Sequence, residues 1–492
     1  MAGTLTTQGY ETVIGLECHV ELATETKMFC GCRNAFGAEP NTNVCPVCLG
    51  LPGSLPVPNQ RAIEYIVRIG LALNCRIAPH SLFHRKNYFY PDMPKDFQIS
   101  QYDLPICVGG YLDIEVDGEV RRIGITRVHM EEDTGKTTHL GGTGRIARAE
   151  AALVDYNRAG VPLVEVVSEP DLRSPEEARA YLVELRATLE ALGVSDVRME
   201  EGSLRCDANV SVRRAGAEDL GTKVEIKNLN SVRSLERALR YEQERQVAAL
   251  ERGEPLVQET RHFDEDEGST HTLRSKEEAF DYRYFPEPDL PPLEPDPAWV
   301  EQIRASLPEL PAARRTRLIR DHGLKPEQAA IVGADRHAVE YLERAVGLGA
   351  SAGAVATWMT QDVAAYLNRT GRAWSDLERD FPAERLRDLL RLVEEGVLSS
   401  TGGKTAFEEA VGTGKHLDQV IEENGLRQVS DTTQLEAWVD EAIAENPGLV
   451  EQFRGGKEGV LNALVGQVMK RSRGSANPKV TGDLLRARLS GS

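Results

Sequence analysis

Four cysteines, in the pairs Cys30-Gly-Cys32 and Cys45-Pro-Val-Cys48, stand twelve residues apart, just after a run that carries Glu17, His19 and Glu21. Each pair can turn back on one ion, so thiolates at this spacing suit a single tetrahedral Zn²⁺ with no open position, a structural site and not a catalytic one. The plainer alternative is four unconnected reduced thiols, because the first pair is C-x-C. In Val13-Ile-Gly-Leu-Glu-Cys-His-Val-Glu-Leu22 the period is two: Ile14, Leu16, Cys18, Val20 and Leu22 share one face, Glu17, His19 and Glu21 the other. A histidine between two glutamates on one strand face offers divalent-metal ligands or an acid–base set.

The same alternation recurs in Ser203 to Val212, where Arg205, Asp207, Asn209 and Ser211 oppose Leu204, Cys206, Ala208, Val210 and Val212. It recurs again where Lys223, Glu225 and Lys227 alternate with Val224 and Ile226. Such strands carry carboxylates for Mg²⁺ and cations for phosphate oxygens; the alternative is a self-compensating ladder of surface ion pairs. His129-Met-Glu-Glu-Asp133 puts four ligand-type side chains at the end of the strand-like Ile123 to Val128. Glu165 interrupts the apolar run Pro162 to Val167. A buried carboxylate is costly unless paired or metal-bound, so Glu165 needs a partner in the fold, a metal or a structural arginine.

Other motifs narrow the chemistry by failing. Gly402-Gly-Lys-Thr405 ends like a P-loop, but Leu398 stands where the first glycine is required and no strand precedes it. Gly349-Ala-Ser-Ala-Gly353 fits G-x-S-x-G but lies among amphipathic helices with no strand before it, and no H-E-x-x-H and no G-x-G-x-x-G after a strand occurs, so any nucleotide would be held on the sheet itself.

Positioning these side chains requires a sheet, and its signals are present. Tyr111 to Val116, Ser203 to Val212 and Lys223 to Lys227 read as strands separated by Gly, Pro and Asn. Helices are expected over Gln60 to Leu73, Pro175 to Leu192 and Ser231 to Arg252, the last capped by Ser231. Six prolines between Pro286 and Pro297 forbid a helix interior and a central strand, so a domain should end there. Amphipathic helices follow, among them Trp299 to Ser306, Pro326 to Val332 and Ala383 to Glu395, with a Gly/Ala/Ser-rich division at Gly347 to Gly353. The expected class is α+β: a catalytic domain around antiparallel sheet over residues 1–293, a helical domain over 294–348 and an all-α tail domain over 349–492.

A chain of 492 residues, 41% hydrophobic and 27% charged, is too long for one core. Its net charge of −19 argues against simple wrapping around nucleic acid. From Gln452 to Ser492, however, eight Lys or Arg stand against two acids, a local +6 that could hold a phosphate backbone or merely be a solvated helix end. Cys18, Cys75, Cys107 and Cys206 read as small buried hydrophobes in a reducing compartment. The first basic residue is Lys27 and no apolar run approaches the roughly 20 residues of a membrane span, so a cytoplasmic protein with no membrane partner is expected.

One run, Val154-Asp-Tyr-Asn-Arg-Ala-Gly-Val-Pro-Leu-Val-Glu-Val-Val-Ser-Glu-Pro-Asp171, resembles the signature of the B-subunit family of aspartyl/glutamyl-tRNA amidotransferases. Val13 to Leu22, Arg85-Lys-Asn-Tyr-Phe-Tyr-Pro-Asp92, Gln98-Ile-Ser-Gln101, His129 to Asp133, Glu200 to Asn209, Asp281 to Asp289 and the tail segment Leu464 to Pro478 extend the resemblance in order along the chain. It implies a cradle-shaped catalytic domain, a helical domain and a tail domain that binds tRNA. The implied task is ATP-dependent amidation of Asp-tRNA(Asn), Glu-tRNA(Gln) or both: ATP phosphorylates the misacylated carboxylate and ammonia displaces the phosphate.

Residue by residue, the resemblance carries the family's magnesium site onto His19, Glu132 and Glu165, with Glu17 on the same face for proton transfer. Glu132 over Glu131 rests on the resemblance alone; strand alternation puts Glu131 with His129, so a bulge or strand end must decide. Arg205, Asp207, Lys223 and Lys227 follow from alternation as nucleotide contacts. Ammonia must come from a partner, since no Ser-Ser-Lys amidase signature is present. The resemblance supplies the amidotransferase's A-type glutaminase, its small C-type brace, tRNA(Asn) or tRNA(Gln), and the mischarging aminoacyl-tRNA synthetase as partners. The alternatives are the related E-type protein, which carries a large insertion between cradle and helices, and a noncatalytic zinc-containing tRNA-binding scaffold.

Overall fold

The computed structural model describes residues 9–141, 149–275, 281–428, 432–472 and 476–490. The chain divides into two compact units between Leu310 and Pro311.

The first unit is built on strands β1 (Tyr10–Glu21), β2 (Arg76–Ile77), β3 (His84–Asn87), β4 (Phe97–Ser100), β5 (Cys107–Val116), β6 (Glu119–Glu132), β7 (Lys136–Leu140), β8 (Ala151–Asp155), β9 (Pro162–Ser168), β10 (Leu204–Arg214), β11 (Val224–Leu229), β12 (Glu259–Asp264), β13 (Ser269–Ser275) and β14 (Phe285–Pro286). Nine of them form one sheet in the order β13-β12-β11-β10-β1-β9-β6-β5-β2. Every pair is antiparallel except β11 with β12. Helices α1 (Gln60–Ala72), α2 (Pro175–Leu192) and α3 (Val232–Glu251) pack on this sheet. There Ile14, Leu16, Cys18 and Val20 of β1 and Leu204, Cys206, Ala208 and Val210 of β10 join one core, as the period of two requires. Ser231 caps α3, its hydroxyl accepting from the Ser234 N–H at 3.0 Å. The alternate residues form a polar face, and a second sheet, β14-β3-β4, lies against it at β6.

The proline-rich segment does not end this unit. Leu293 bridges to Ser81, and α4 (Pro297–Ala305) packs on α1, with Val300 and Ile303 buried in the same core and Leu310 packed against it. Prolines bar regular secondary structure but not apolar contact, so the first unit extends past residue 293. In the second unit, one core runs from Leu318 to Ile421 through Leu342, Ala345, Val355 and Ala356. The stretch Gly347 to Gly353 is thus a turn inside that core, and a separate core gathers Leu435 to Leu489. No described helix is long and apolar enough to cross a membrane.

The basic tail is far less basic in three dimensions than along the sequence. Residues 432–451 carry five acids and no lysine or arginine, which brings the local charge from +6 to +1. Arg471 pairs with Glu441 (2.5 Å) and Glu445, and Arg488 with Glu436 (3.0 Å) and Asp440 (3.1 Å). Arg473, part of the sequence count, lies outside the described residues.

Gly402-Gly-Lys-Thr405 lies in a helix, Ser400–Thr413, capped by Ser399. A Cβ on Gly403 would meet Val393 Cγ2 at 2.9 Å and the Trp358 ring at 3.2 Å, whereas one on Gly412 of the same helix would meet nothing within 4 Å. Both substitutions gain about 1 kcal/mol of helix propensity, but overpacking at Gly403 costs about 1–3 kcal/mol. Urea denaturation should therefore find Gly412→Ala more stable than Gly403→Ala by roughly that cost; equal effects would show that the helix does not pack there.

Candidate active site

The register of β1 with its neighbours brings the polar residues together. His19 lies opposite Glu165 of β9 and Arg205 of β10, Glu17 opposite Asp207, and Glu165 opposite His129 of β6. Four separated segments thus meet on one sheet face, and cross-strand neighbours on a face are close enough to interact. His129 Nε2 stands 3.2 Å from Glu165 Oε2 and 3.3 Å from Glu131 Oε1, and His19 Nε2 is 3.7 Å from Glu165 Oε2. Glu165 therefore finds histidines as its partners. One ligand atom each from His19, Glu131 and Glu165 lies within 4.8 Å of the others, a geometry that can hold a metal ion.

Of the two adjacent glutamates, the structure brings Glu131 and not Glu132 to His19 and Glu165. The β6–β9 register runs without a bulge from Arg127 through Glu132, so alternation holds to the strand's last residue. Glu131 faces His19 and Glu165, and Glu132 faces the other way. Its Oε1 accepts from the Ile99 N–H (2.9 Å) and from Lys95, and it lines a different cavity with Phe29, Cys48 and Gly160. Glu131 is held instead by Ser100 Oγ (2.7 Å) and Gln98 Nε2 (3.2 Å) of β4, with Lys86 Nζ of β3 at 4.0 Å.

Burial alone would push the Glu131 carboxyl up, but Lys86, His129 and His19 together hold it below the usual carboxylate range. Burial likewise opposes ionisation of Glu165, and His129 and His19 overcome it. His129 answers in kind: desolvation favours the neutral ring, yet Glu131 and Glu165 raise it to about 9, so it is an imidazolium at neutral pH. Burial and then the charge of Glu165 push the Glu17 carboxyl up, while the hydrogen bond from Asn209 Nδ2 (2.9 Å) pulls it back.

These groups line a cleft of about 340 Å³ that also holds Lys86, Arg127, Asp207 and Lys227. Lys227 bridges Asp207 (2.7 Å) and Glu225 (2.9 Å), so part of the strand face is the ion-pair ladder that alternation allowed. Two expected contacts lie elsewhere. Lys223 precedes β11, exposed, and does not line the cleft; Arg205 turns to Asp133, at 2.5 Å, and Glu21, at 3.9 Å. Lys86, Gln98 and Ser100 join the site without having been expected there, and His129, read from the sequence as one of four ligand-type side chains, joins it too. The signal for three of them was present in the alternation of Gln98-Ile-Ser and in His129 to Asp133, but a four-residue strand such as β3 is too short for periodicity to orient Lys86.

Beside Glu132 stand the four thiols of Cys30, Cys32, Cys45 and Cys48, with Sγ atoms within 4.8 Å of one another and Cys45 and Cys48 3.9 Å apart. Metal–thiolate bonds of about 2.3 Å at tetrahedral angles put sulfurs about 3.8 Å apart, so the cluster fits one ion. The hydrogen bond from Cys30 shifts the Cys48 thiol downward against the opposing effect of burial, the direction that favours metal binding. Cys18, Cys75, Cys107 and Cys206 are buried, as expected.

Comparison with known proteins identifies the family to which the domains belong. Residues 12–301 match the GatB/GatE catalytic domain and residues 340–489 the GatB domain. The chain is 55% identical over 480 residues to the B subunit of the aspartyl/glutamyl-tRNA(Asn/Gln) amidotransferase of Moorella thermoacetica, covering 98% of this chain and 100% of that one. The proteins of the same description from Carboxydothermus hydrogenoformans (52% over 480 residues; 98% and 99%) and Salinispora tropica (54% over 486 residues; 98% and 96%) are similarly related. The sheet-borne site belongs to an amidotransferase catalytic domain. The chain is a member of the B-subunit family of aspartyl/glutamyl-tRNA(Asn/Gln) amidotransferases.

Next to the site, burial and then the charge of Asp133 push the Glu21 carboxyl up from 4.5 to about 8. A carboxyl so raised binds its proton more tightly folded than unfolded. Its stabilising effect is complete below about pH 4.5 and is lost as pH rises through about 8. Glu21→Gln, which keeps a neutral group there, should flatten the fall in denaturation midpoint across that window; an unchanged slope would place the lost proton on another group.

Proposed function

We propose that this chain amidates Asp-tRNA(Asn), Glu-tRNA(Gln) or both, in an ATP-dependent reaction that passes through an acyl phosphate. The observation that carries the proposal is the meeting of His19, Glu131 and Glu165 in one cleft with Lys86, Arg127 and Lys227. A carboxylate is a poor acylating agent. Transfer of the γ-phosphoryl of ATP to it makes phosphate the leaving group, and attack by ammonia at the carbonyl carbon then expels phosphate and forms the amide.

An imidazole and two carboxylates in contact, both favoured in their ionised form by neighbouring groups, suit a hard divalent cation. Mg²⁺ held by His19, Glu131 and Glu165 would neutralise charge on the transferring phosphoryl group, the main form of catalysis open to so loose a transition state. Lys86, Arg127 and Lys227 supply cations for the phosphates, and Asp207 orients Lys227. Glu17, with its raised pKa, takes the proton that the attacking ammonia sheds.

Ammonia comes from a partner glutaminase of the A type, with the small C-type protein as the brace and the mischarging synthetase as a further partner; the whole works in the cytoplasm. The match of residues 340–489 to the GatB domain favours the B type over the E type. The four thiols hold Zn²⁺, which pins the segment beside Glu132 and takes no part in the reaction.

With ammonia supplied directly, Glu165→Gln and Glu131→Gln should abolish phosphorylation of the misacylated tRNA while tRNA binding survives. Where residual activity remains, Glu131→Gln should raise the Mg²⁺ concentration for half-maximal ATP cleavage by about tenfold or more, and Glu132→Gln should not; the reverse order would return Glu132 to the metal site. Elemental analysis should find one zinc per chain, lost in Cys48→Ser; a metal-free wild type would leave the cluster as reduced thiols.

A further inference from the structure

One wall of the cleft is aromatic, and the amidation chemistry gives it no task. Tyr102 and Tyr284 stack with ring centroids 4.3 Å apart and planes 8° apart. Tyr282 meets Tyr284 edge-on, and the Lys86 ammonium lies 5.1 Å from its ring. All three rings line the cleft that holds Glu131 and Glu165.

Tyr102 is 57% exposed, yet it is fixed from behind. Tyr284 covers one face and the buried His84 ring abuts it at 78°. The preceding Gln101 is buried, donating to Ser81 Oγ (2.7 Å) and accepting from the Met130 N–H (3.1 Å). Tyr282 and Tyr284 are set by the residue between them: Arg283 adopts φ 43°, with its N–H donated to Asp281 Oδ1 at 3.0 Å. A non-glycine residue persists in that region where its surroundings demand it, a condition met most often at ligand sites.

An aromatic ring supported on one face, open on the other and next to a charged site is how proteins hold unpaired nucleobases. Two adenines enter the proposed reaction, that of ATP and that of the 3′-terminal adenosine of tRNA. We propose that Tyr102, backed by Tyr284, is the stacking platform for the 3′-terminal adenosine of the aminoacyl-tRNA. Geometry chooses between the two. The terminal base is separated from the reacting carboxylate only by its ribose and the aminoacyl group, so it must lie beside the carboxylate's site. The tyrosines meet that condition, standing with Lys86 against Glu131. The adenine of ATP is separated from the γ-phosphoryl by a ribose and two phosphates and needs a longer reach. Asp207 and Lys227 provide it, three and four strands from Glu131 in the sheet order, about 14 Å or more across the sheet.

The inference rests on the proposed function, but its test needs no turnover. Binding of uncharged tRNA(Asn) or tRNA(Gln), intact or lacking its terminal adenosine, is measured with the full chain assembled with its partner proteins. In wild type, removing the adenosine should weaken binding by about tenfold. Tyr102→Ala should bind both forms with the weaker affinity, and Tyr102→Phe, which keeps the ring, should restore the difference. A Tyr102→Ala chain that still discriminates as wild type does, or a wild type indifferent to the terminal adenosine, overturns the proposal. So does a rise in the ATP concentration needed for half-saturation with tRNA discrimination intact, which would assign the ring to ATP. Failure of the amidation assay with wild type would instead count against the function alone.

Discussion

Two ionised carboxylates, Glu131 and Glu165, lie buried on one sheet face and share a single histidine between them. Like charges this close in a poorly hydrated site cannot both persist without cations, and the architecture around them is organised to supply those. His129 answers from the same strand as Glu131 and Lys86 from the second sheet laid over the first, while the His19 ring, on the strand across β9, stands beside Glu165. The second sheet converges on the same group: its Gln98 and Ser100 donate to the carboxylate that its Lys86 faces. Burial of Leu16, Cys18 and Val20 on the reverse side fixes the register that makes this convergence possible.

The charge logic extends outward in rings. Asp133, one residue past β6, is held ionised by Arg205 and Arg158 against the effect of burial, while neighbouring Glu21 keeps its proton. Lys227 serves two acids at the far side of the face. The polar surface is therefore a set of nearly neutral clusters, each able to exchange its internal partners for a ligand's charges at little electrostatic cost. The strongly negative net charge of the chain does not describe this face, and the positive count of the tail does not describe that end.

Much of this was legible in the sequence. Period-two alternation placed Glu17, His19 and Glu21 together and separated them from the apolar partners that the core confirms, because a half-buried strand leaves no freedom in which face is wet. The unpartnered Glu165 announced a buried charge. Alternation also pointed to Glu131, and the resemblance to Glu132; where the two disagreed, the local rule described the fold. What could not be read was tertiary: the departure of Arg205 toward Asp133, a residue 72 positions away, and the reach of Lys86 from a strand of four residues. The proline-rich segment misled because proline reports on backbone hydrogen bonding and says nothing of whether Val300 and Ile303 beyond it find a core. The count of charges in the tail was incomplete for a like reason, since Arg471 and Arg488 pair with acids of a helix that precedes the counted window.

Glu131 and Glu132 are consecutive residues of one strand, yet each serves a different cavity on opposite sides of the chain. A slip of β6 by one residue would turn each to the other face, leaving Lys95 and Lys86 each opposite a position with the wrong side chain and without the carboxylate it pairs with. The paired glutamates thus act as a proofreading device for assembly of the sheet: only the correctly threaded strand satisfies both sides at once, so a chain that has formed its site has also certified its own topology.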